Sequence, residues 1–292
     1  MTAPLLPSRR PLVDILHSSQ CIVASSVFDA VSARLAQAIG SDVGILGGSA
    51  ASQTVLGAPD IVLLTATELV EQARRICRTN CVNLIVDADH GYGNALNVMR
   101  TIEDLQSVGV AATCLEDSVL PRAFDSDQTL RLISIEEGRQ KMLAALQARA
   151  NGAMLVLGRT NAMAATDVDD AIRRLQAYQA VGVDALFLPY LKRREDLDQI
   201  AAAVSLPLIV AGSDESLFDL DYLTERGVKI WMWGHQPQAI ATAALFEAMK
   251  AAHSGVPPRE LLKHTDPDTA SIATATNLYA SLTQRYLQKP HR

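Results

Sequence analysis

"VNLIVDADHGYGNALNVMRTIEDLQSVG", residues 82–109, holds the pattern that decides the fold. An apolar run rich in Val, Ile and Leu predicts a buried strand over 82–89, ending in the acidic pair Asp87 and Asp89. A short glycine-containing turn follows. From Asn97 onward apolar residues recur at three and four positions, predicting an amphipathic helix that stops at Gly109.

Working outward, the same strand–turn–helix unit recurs until there are eight. The predicted strands are 21–29, 42–49, 82–89, 111–117, 154–161, 185–190, 207–213 and 229–235. The intervening helical patterns close on Gly40, Gly109, Gly182 and Gly227. Asp167 and Ser134 are the predicted N-caps, Ser134 forming a capping box with Glu137. Strands alternating with helices imply a parallel sheet, and eight units are the number that closes a (β/α)8 TIM barrel. A doubly wound open sheet shares the alternation and is the second reading.

Two segments interrupt the rhythm. Residues 50–66 and 118–133 read as long connections after the second and fourth strands, suited to a lid over a site. The barrel is expected over 1–255. Residues 256–292 read as an appended helical extension whose Leu278, Leu282 and Leu287 have few partners within their own unit.

The chain has 292 residues, 49% apolar and 20% charged, the balance of a globular protein with a large core. A net charge of −6, with no basic run interleaved with aromatics, argues against a nucleic-acid surface. No stretch is long and apolar enough for a membrane span, and the Arg9–Arg10 pair lacks a following apolar signal region. A cytoplasmic protein is expected. Cys21 and Cys114 read as small buried hydrophobes, while Cys77 and Cys81 lack the second pair that a zinc site needs.

Parallel α/β folds place ligands at the carboxyl ends of their strands. Those ends carry Asp29, Ser49, Asp87, Asp89, Glu116, Asp117, Arg159, Asn161, Tyr190, Ser213 and His235. Carboxylates crowded at one mouth need a cation, and an oxygen-rich set with little sulfur suits Mg²⁺, with Mn²⁺ possible. Each acid alone could equally be a cap or a surface ion-pair partner. Arg159 suits a carboxylate or phosphate clamp, or an internal ion pair. "LGGSAAS" (46–52) offers backbone N–H groups after a strand as an anion cradle. His90 reads as structural.

Together "FDAVSARLAQAIG", "GILGGSAAS", "GAPD", "DADHGYGN", "CLED" and "GRTNA" resemble the isocitrate lyase/phosphoenolpyruvate mutase superfamily over residues 21–250, nearest its oxaloacetate decarboxylase branch. The resemblance implies a barrel, a tetramer with exchanged C-terminal helices, and Mg²⁺ holding a 2-oxo dicarboxylate. It implies Asp87 as the direct metal ligand, with Asp60, Asp89 and Glu116 acting through water. Ser49, the neighbouring Gly48 and Ala50, and Arg159 are expected at the substrate carboxylate. His235 is expected beside the substrate, with Arg159 and His235 as the catalytic pair.

Two departures bear on the reaction. The lid reads "SVLPRAF", without the cysteine that isocitrate-cleaving relatives carry. The seventh strand exits through Gly212 and Ser213 where the decarboxylase branch has a tyrosine, and Tyr190 stands at the neighbouring exit. Mg²⁺-dependent decarboxylation of oxaloacetate to pyruvate is the expected activity. A carbon–carbon lyase on a larger 2-hydroxy acid and a catalytically silent dicarboxylate binder are the alternatives.

Overall fold

A computed structural model describes residues 9–124, 129–149 and 154–288. Its strands are β1 (Ile22–Val23), β2 (Ser25–Ser26), β3 (Val43–Leu46), β4 (Asn83–Asp87), β5 (Ala112–Leu115), β6 (Leu155–Arg159), β7 (Ala185–Pro189), β8 (Leu208–Ala211) and β9 (Val228–Met232). All pairings are parallel, in the order β1-β9-β8-β7-β6-β5-β4-β3-β2. The first predicted strand is thus split at Ala24: its first half pairs with β9 and its second with β3, and this closes the ring. The barrel reading holds, and the open doubly wound sheet does not.

Alternation along the strands divides the core in two. Val43, Ile45, Ile85, Ala112, Cys114, Leu157, Phe187, Ile209, Ile230 and Met232 fill the barrel, and the helix Leu12–Leu16 packs against them. The other faces carry Leu46, Leu84, Val86, Leu115, Val156, Leu186, Val210 and Trp231 toward the surrounding helices. Trp231 therefore belongs to the barrel wall and is fully buried, whereas Trp233 is partly exposed. Inward parity also carries Asp87 and Arg159 to the mouth, each as the last residue of its strand.

The helix ends follow the local chemistry. Gly40, Gly109, Gly182 and Gly227 all take positive φ, as glycine at a helix exit does. Ser134 and Asp167 cap their helices, each accepting from the N–H three residues on.

The expectation of a long connection over 50–66 is corrected. Gly48–Leu56 is a helix, begun at Gly47 and ended by Gly57 at φ +62°. Its small residues let it lie tightly on the barrel, with Ala50, Ala51 and Ser52 buried. Only the stretch after Gly57 is a loop, and it carries Asp60. In the second segment, 118–133, residues 125–128 lie outside the described residues. Its described ends are tied together by Val119 N–H to Arg131 O (2.8 Å) and Ile133 N–H to Asp117 O (2.8 Å).

Candidate active site

A cavity of about 160 Å³ opens at the carboxyl ends of the strands. Gly47, Gly48, Ser49, Asp60, Asp87, Cys114, Arg159, Tyr190, Gly212 and His235 are among the residues that line it. Phe187, Pro189, Ala211 and Met232 give it an apolar side.

Arg159 is the hub. Its Nη1 donates to Asp87 Oδ2, its Nη2 lies 2.7 Å from Glu116 Oε2, and its Nε donates to Asn161 Oδ1 at 3.2 Å. Asn161 Nδ2 in turn donates to Glu116 Oε2 (3.0 Å) and Ser118 Oγ (2.8 Å), fixing the pair from behind. Arginine has five N–H donors, so two remain for another anion. Burial opposes its charge, yet the Asp87 and Glu116 carboxylates outweigh that and hold the guanidinium protonated.

The loop after β4 turns sharply to present Asp89. Asp89, Gly91, Tyr92 and Gly93 all have positive φ. The turn is held from outside by Glu116 N–H to Asp89 O (2.8 Å), Lys141 Nζ to His90 O (3.0 Å) and Thr101 Oγ1 to Gly91 O (3.3 Å). Burial, then the charges of Asp87, Glu116 and Asp60, push the Asp89 carboxyl up to about 8. The same causes raise Asp60, whose loop brings it to the mouth. A Cβ placed on Gly48 would lie 2.9 Å from Asp89 Oδ1 and 3.2 Å from Asp60 Oδ1, so both carboxylates press on the first turn of the helix Gly48–Leu56. Only glycine fits between them.

That first turn presents N–H groups without intrahelical partners at Gly48, Ser49 and Ala50. Ser49 is exposed to the cavity, while Ala50 turns its methyl into the core. Opposite, His235 caps nothing with its side chain. Its Nδ1 shares a 2.7 Å hydrogen bond with Ser26 Oγ, and its Nε2 is directed at Gly47. Burial lowers its pKa against the pull of Asp87, which keeps the imidazole neutral at pH 7.

Several strand-end residues do not enter the cavity. Asp29 caps the helix Ala30–Ala38 in a box with Ser32. Asp117 faces outward, accepting from Tyr178 Oη (3.0 Å), Arg174 Nη1 (3.3 Å) and the Asn161 N–H (3.0 Å). Ser213 accepts from the Leu191 N–H. His90 is buried and structural, as expected. Conversely, Cys114 is more than a buried hydrophobe: its Sγ is 3.5 Å from Asp87 Oδ1, and burial beside that charge keeps the thiol protonated. Strict alternation in "ATCLED" places Cys114 on the same face as Glu116 and was the available signal. Ser26 and Gly47 had no such signal beyond proximity to a strand exit.

Residues 12–253 match the family model for phosphoenolpyruvate phosphomutase. The chain belongs to that family. Within it, a curated relative, an oxaloacetate decarboxylase of Rhodopseudomonas palustris (strain BisA53), is 50% identical over 253 residues, 87% of each chain. Among solved structures, a phosphoenolpyruvate phosphomutase of Streptomyces platensis subsp. rosaceus superposes with TM-score 0.85 at 23% identity, covering 95% of this chain and 98% of that one. A 2,3-dimethylmalate lyase superposes with TM-score 0.82 at 26% identity, covering 94% and 96%. Family membership agrees with the motif resemblance and with the barrel.

Among the described residues no three carboxylate, imidazole or thiol groups are gathered at coordination distance. Asp87 and Glu116 engage Arg159, and Asp60 and Asp89 receive no hydrogen bond among the described residues. All four offer oxygen only. Magnesium takes one or two direct carboxylates and keeps several waters, so this spacing and donor set fit it.

Proposed function

We propose that this chain is a Mg²⁺-dependent decarboxylase that converts oxaloacetate to pyruvate and CO2. The observation that carries the reading is the convergence of four carboxylates about one guanidinium, with Asp60 and Asp87 lining a small cavity and Asp89 and Glu116 close behind it, and the 50% identity to a decarboxylase names the reaction. Asp87 would bind the metal directly, with Asp60, Asp89 and Glu116 holding its waters; Mn²⁺ satisfies the same oxygen set. When bound, the metal supplies a Lewis acid for the 2-oxo group and for the charge that builds there as CO2 leaves.

The protein's own groups orient the substrate. The N–H groups of Gly48, Ser49 and Ala50 and the Ser49 hydroxyl face the 2-oxo-acid head, and the two free N–H groups of Arg159 complete a clamp on its carboxylate. Loss of CO2 leaves an enolate, which takes one proton at carbon from solvent water to become pyruvate, and a neutral His235 held on Ser26 adds a donor or acceptor beside it without adding charge. No base is needed to start the reaction. This is why the absence of a cysteine in "SVLPRAF" counts against a lyase on a larger 2-hydroxy acid, whose hydroxyl must lose a proton.

The test is pyruvate formation from oxaloacetate with Mg²⁺ and with EDTA, minus the metal's own background. Enzyme-dependent turnover abolished by EDTA is expected. Oxalate binding without turnover would favour a silent binder, and aldol-type condensation of pyruvate with an added carbonyl compound would favour the lyase.

We also propose the division into a barrel, 1–255, and an extension, 256–292, that exchanges between subunits of a cytoplasmic homotetramer. Supporting it, the helix Gln236–His253 leaves Ile240, Leu245, Phe246 and Met249 exposed, and the helix Thr276–Leu287 buries no residue. Apolar stripes of that size mark interaction surfaces. Among the described residues no helix is long and apolar enough to cross a membrane. Sedimentation of the full chain against a chain ended at residue 255 tests the assembly: loss of the tetramer is expected.

A further inference from the structure

Tyr190 follows Pro189, the last residue of β7, and takes a φ of +67°. A bulky side chain in the left-handed region persists only where its surroundings over-determine it. The next residue provides that constraint. Leu191 is fully buried, its N–H donates to Ser213 Oγ at 3.0 Å, and its carbonyl accepts from the Asp214 N–H at 2.8 Å. The loops after β7 and β8 are stitched together, and the tyrosine is turned onto the cavity that Asp87, Arg159 and His235 also line. Asp89 and Tyr92, in the loop after β4, share this unusual backbone state.

The ring stays 43% exposed, and its hydroxyl has no hydrogen-bond partner among the described residues. Gly212 lines the same cavity at φ +55°, and a Cβ there would meet nothing within 4 Å. This part of the wall therefore combines open space with one uncommitted polar atom. Burial raises the phenol above its ordinary value against the pull of Arg159, so it remains a neutral donor.

We propose that Tyr190 is the specificity-determining residue for the far end of the substrate: its phenol donates to the distal carboxylate of a 2-oxo dicarboxylate, and Gly212 leaves room for that arm. The assignment rests on reading the cavity as a site for oxaloacetate-like acids. A second carboxylate entering a mouth lined by Asp60 and Asp87 needs a donor, and three of the five N–H groups of Arg159 are committed. A cation at the far end would hold the carboxylate in the ground state and oppose its departure as CO2. A neutral phenol orients the arm at far smaller cost to that departure.

The test is calorimetric binding of oxalate, which lacks the arm, and of 3,3-difluorooxaloacetate, which carries it, to the Mg²⁺-loaded protein. Tyr190→Phe should weaken difluorooxaloacetate about tenfold and oxalate less than twofold. Gly212→Ala strains the backbone at φ +55° as well as filling open space, so it supports the assignment only if difluorooxaloacetate weakens more than oxalate. Equal losses on both ligands, or no loss on difluorooxaloacetate, would overturn the assignment, as would a wild type that binds oxalate alone. A wild type that shows the split yet releases no pyruvate sinks the decarboxylase reading while the role of Tyr190 stands.

Discussion

Gly47→Ala offers a direct probe of His235. Gly47 has φ −87° and ψ 158°, ordinary extended values that alanine adopts without backbone strain. The added methyl, however, would lie 2.2 Å from His235 Nε2 and 2.9 Å from Cε1. Ordinary contact begins near 3.4 Å, so the ring must retreat by about 1 Å. It cannot do so while keeping the 2.7 Å hydrogen bond between Nδ1 and Ser26 Oγ. Overpacking of this kind costs ~1–3 kcal/mol, with the lost hydrogen bond inside that range. Urea unfolding of Gly47→Ala, His235→Ala and the double variant measures it. The clash should vanish when the imidazole is gone, so Gly47→Ala should cost under about 0.5 kcal/mol in the His235→Ala background. Turnover of Gly47→Ala should fall toward that of His235→Ala, since both take the imidazole from the cavity. Additive stabilities would refute the placement of His235 against Gly47.

Three further outcomes follow from the same contacts. Asp87→Asn should lose the Mg²⁺-dependent rise in melting temperature; in the wild type, metal at a hundredfold excess over its dissociation constant stabilises by ~2.7 kcal/mol, read by thermal unfolding with and without EDTA. Asp117→Ala should cost ~2–3 kcal/mol in urea unfolding, because it leaves the buried Tyr178 hydroxyl and the Asn161 N–H without their acceptor while Arg174 keeps Asp170, whereas Tyr178→Phe should cost ~1 kcal/mol. Burial acts to raise the Asp170 carboxyl, but hydrogen bonds and charge from Arg174, with help from Thr166 and Arg173, leave it below its usual value. Its contribution to stability is therefore present above the unfolded carboxylate range near pH ~4 and is lost as the pH falls through the lower folded value. Unfolding free energy measured down the acid limb should drop more steeply in the wild type than in Asp170→Asn.

The eight-fold alternation was legible, because most strands are short branched-aliphatic runs and several helices close on a glycine that takes positive φ, at Gly40, Gly109, Gly182 and Gly227. What the residue pattern could not resolve was the direction of each strand-end side chain. Glu116 and Asp117 are adjacent and chemically alike, yet Glu116 turns inward to Arg159 and Asp117 outward to Arg174. The pairing of Leu115 with Gly158 puts Glu116 level with Arg159, and that register belongs to the assembled sheet rather than to either segment. Asp29 misled for a different reason. An aspartate ending a strand and opening a helix satisfies both descriptions, and the cap to Ser32 decided its use. The helix Gly48–Leu56 was hidden because its Gly, Ser, Ala and Thr residues read locally as a loop. Its stability comes from close packing on the barrel and from Gln238 Nε2 donating to Ala50 O at 3.1 Å, contacts absent from its own sequence.

The chain contains two acidic clusters, and their donor counts separate structure from chemistry. Around Arg174, Asp117 collects three hydrogen-bond donors, from Tyr178, Arg174 and the Asn161 N–H, and Asp170 collects three, from Thr166, Arg173 and Arg174. That network is closed, and it holds Asp170 in its charged form. At the mouth, Arg159 answers Asp87 and Glu116, but among the described residues Asp60 and Asp89 have no hydrogen-bond donor, and both are pushed up by burial and by the neighbouring carboxylates. An acidic pair with a raised pKa and no donor is a standing cost to the fold unless it serves a ligand. A hydrated divalent cation, as proposed for this site, would remove that cost with water as the donor to the outer carboxylates, and would leave Arg159 and the first turn of the helix Gly48–Leu56 to meet the anion. The aspartates of "VDADHGYGN" are thus held by the protein in two different ways: Asp87 by an ion pair and a thiol, Asp89 by a tightly wound backbone that sets its carboxyl against Gly48.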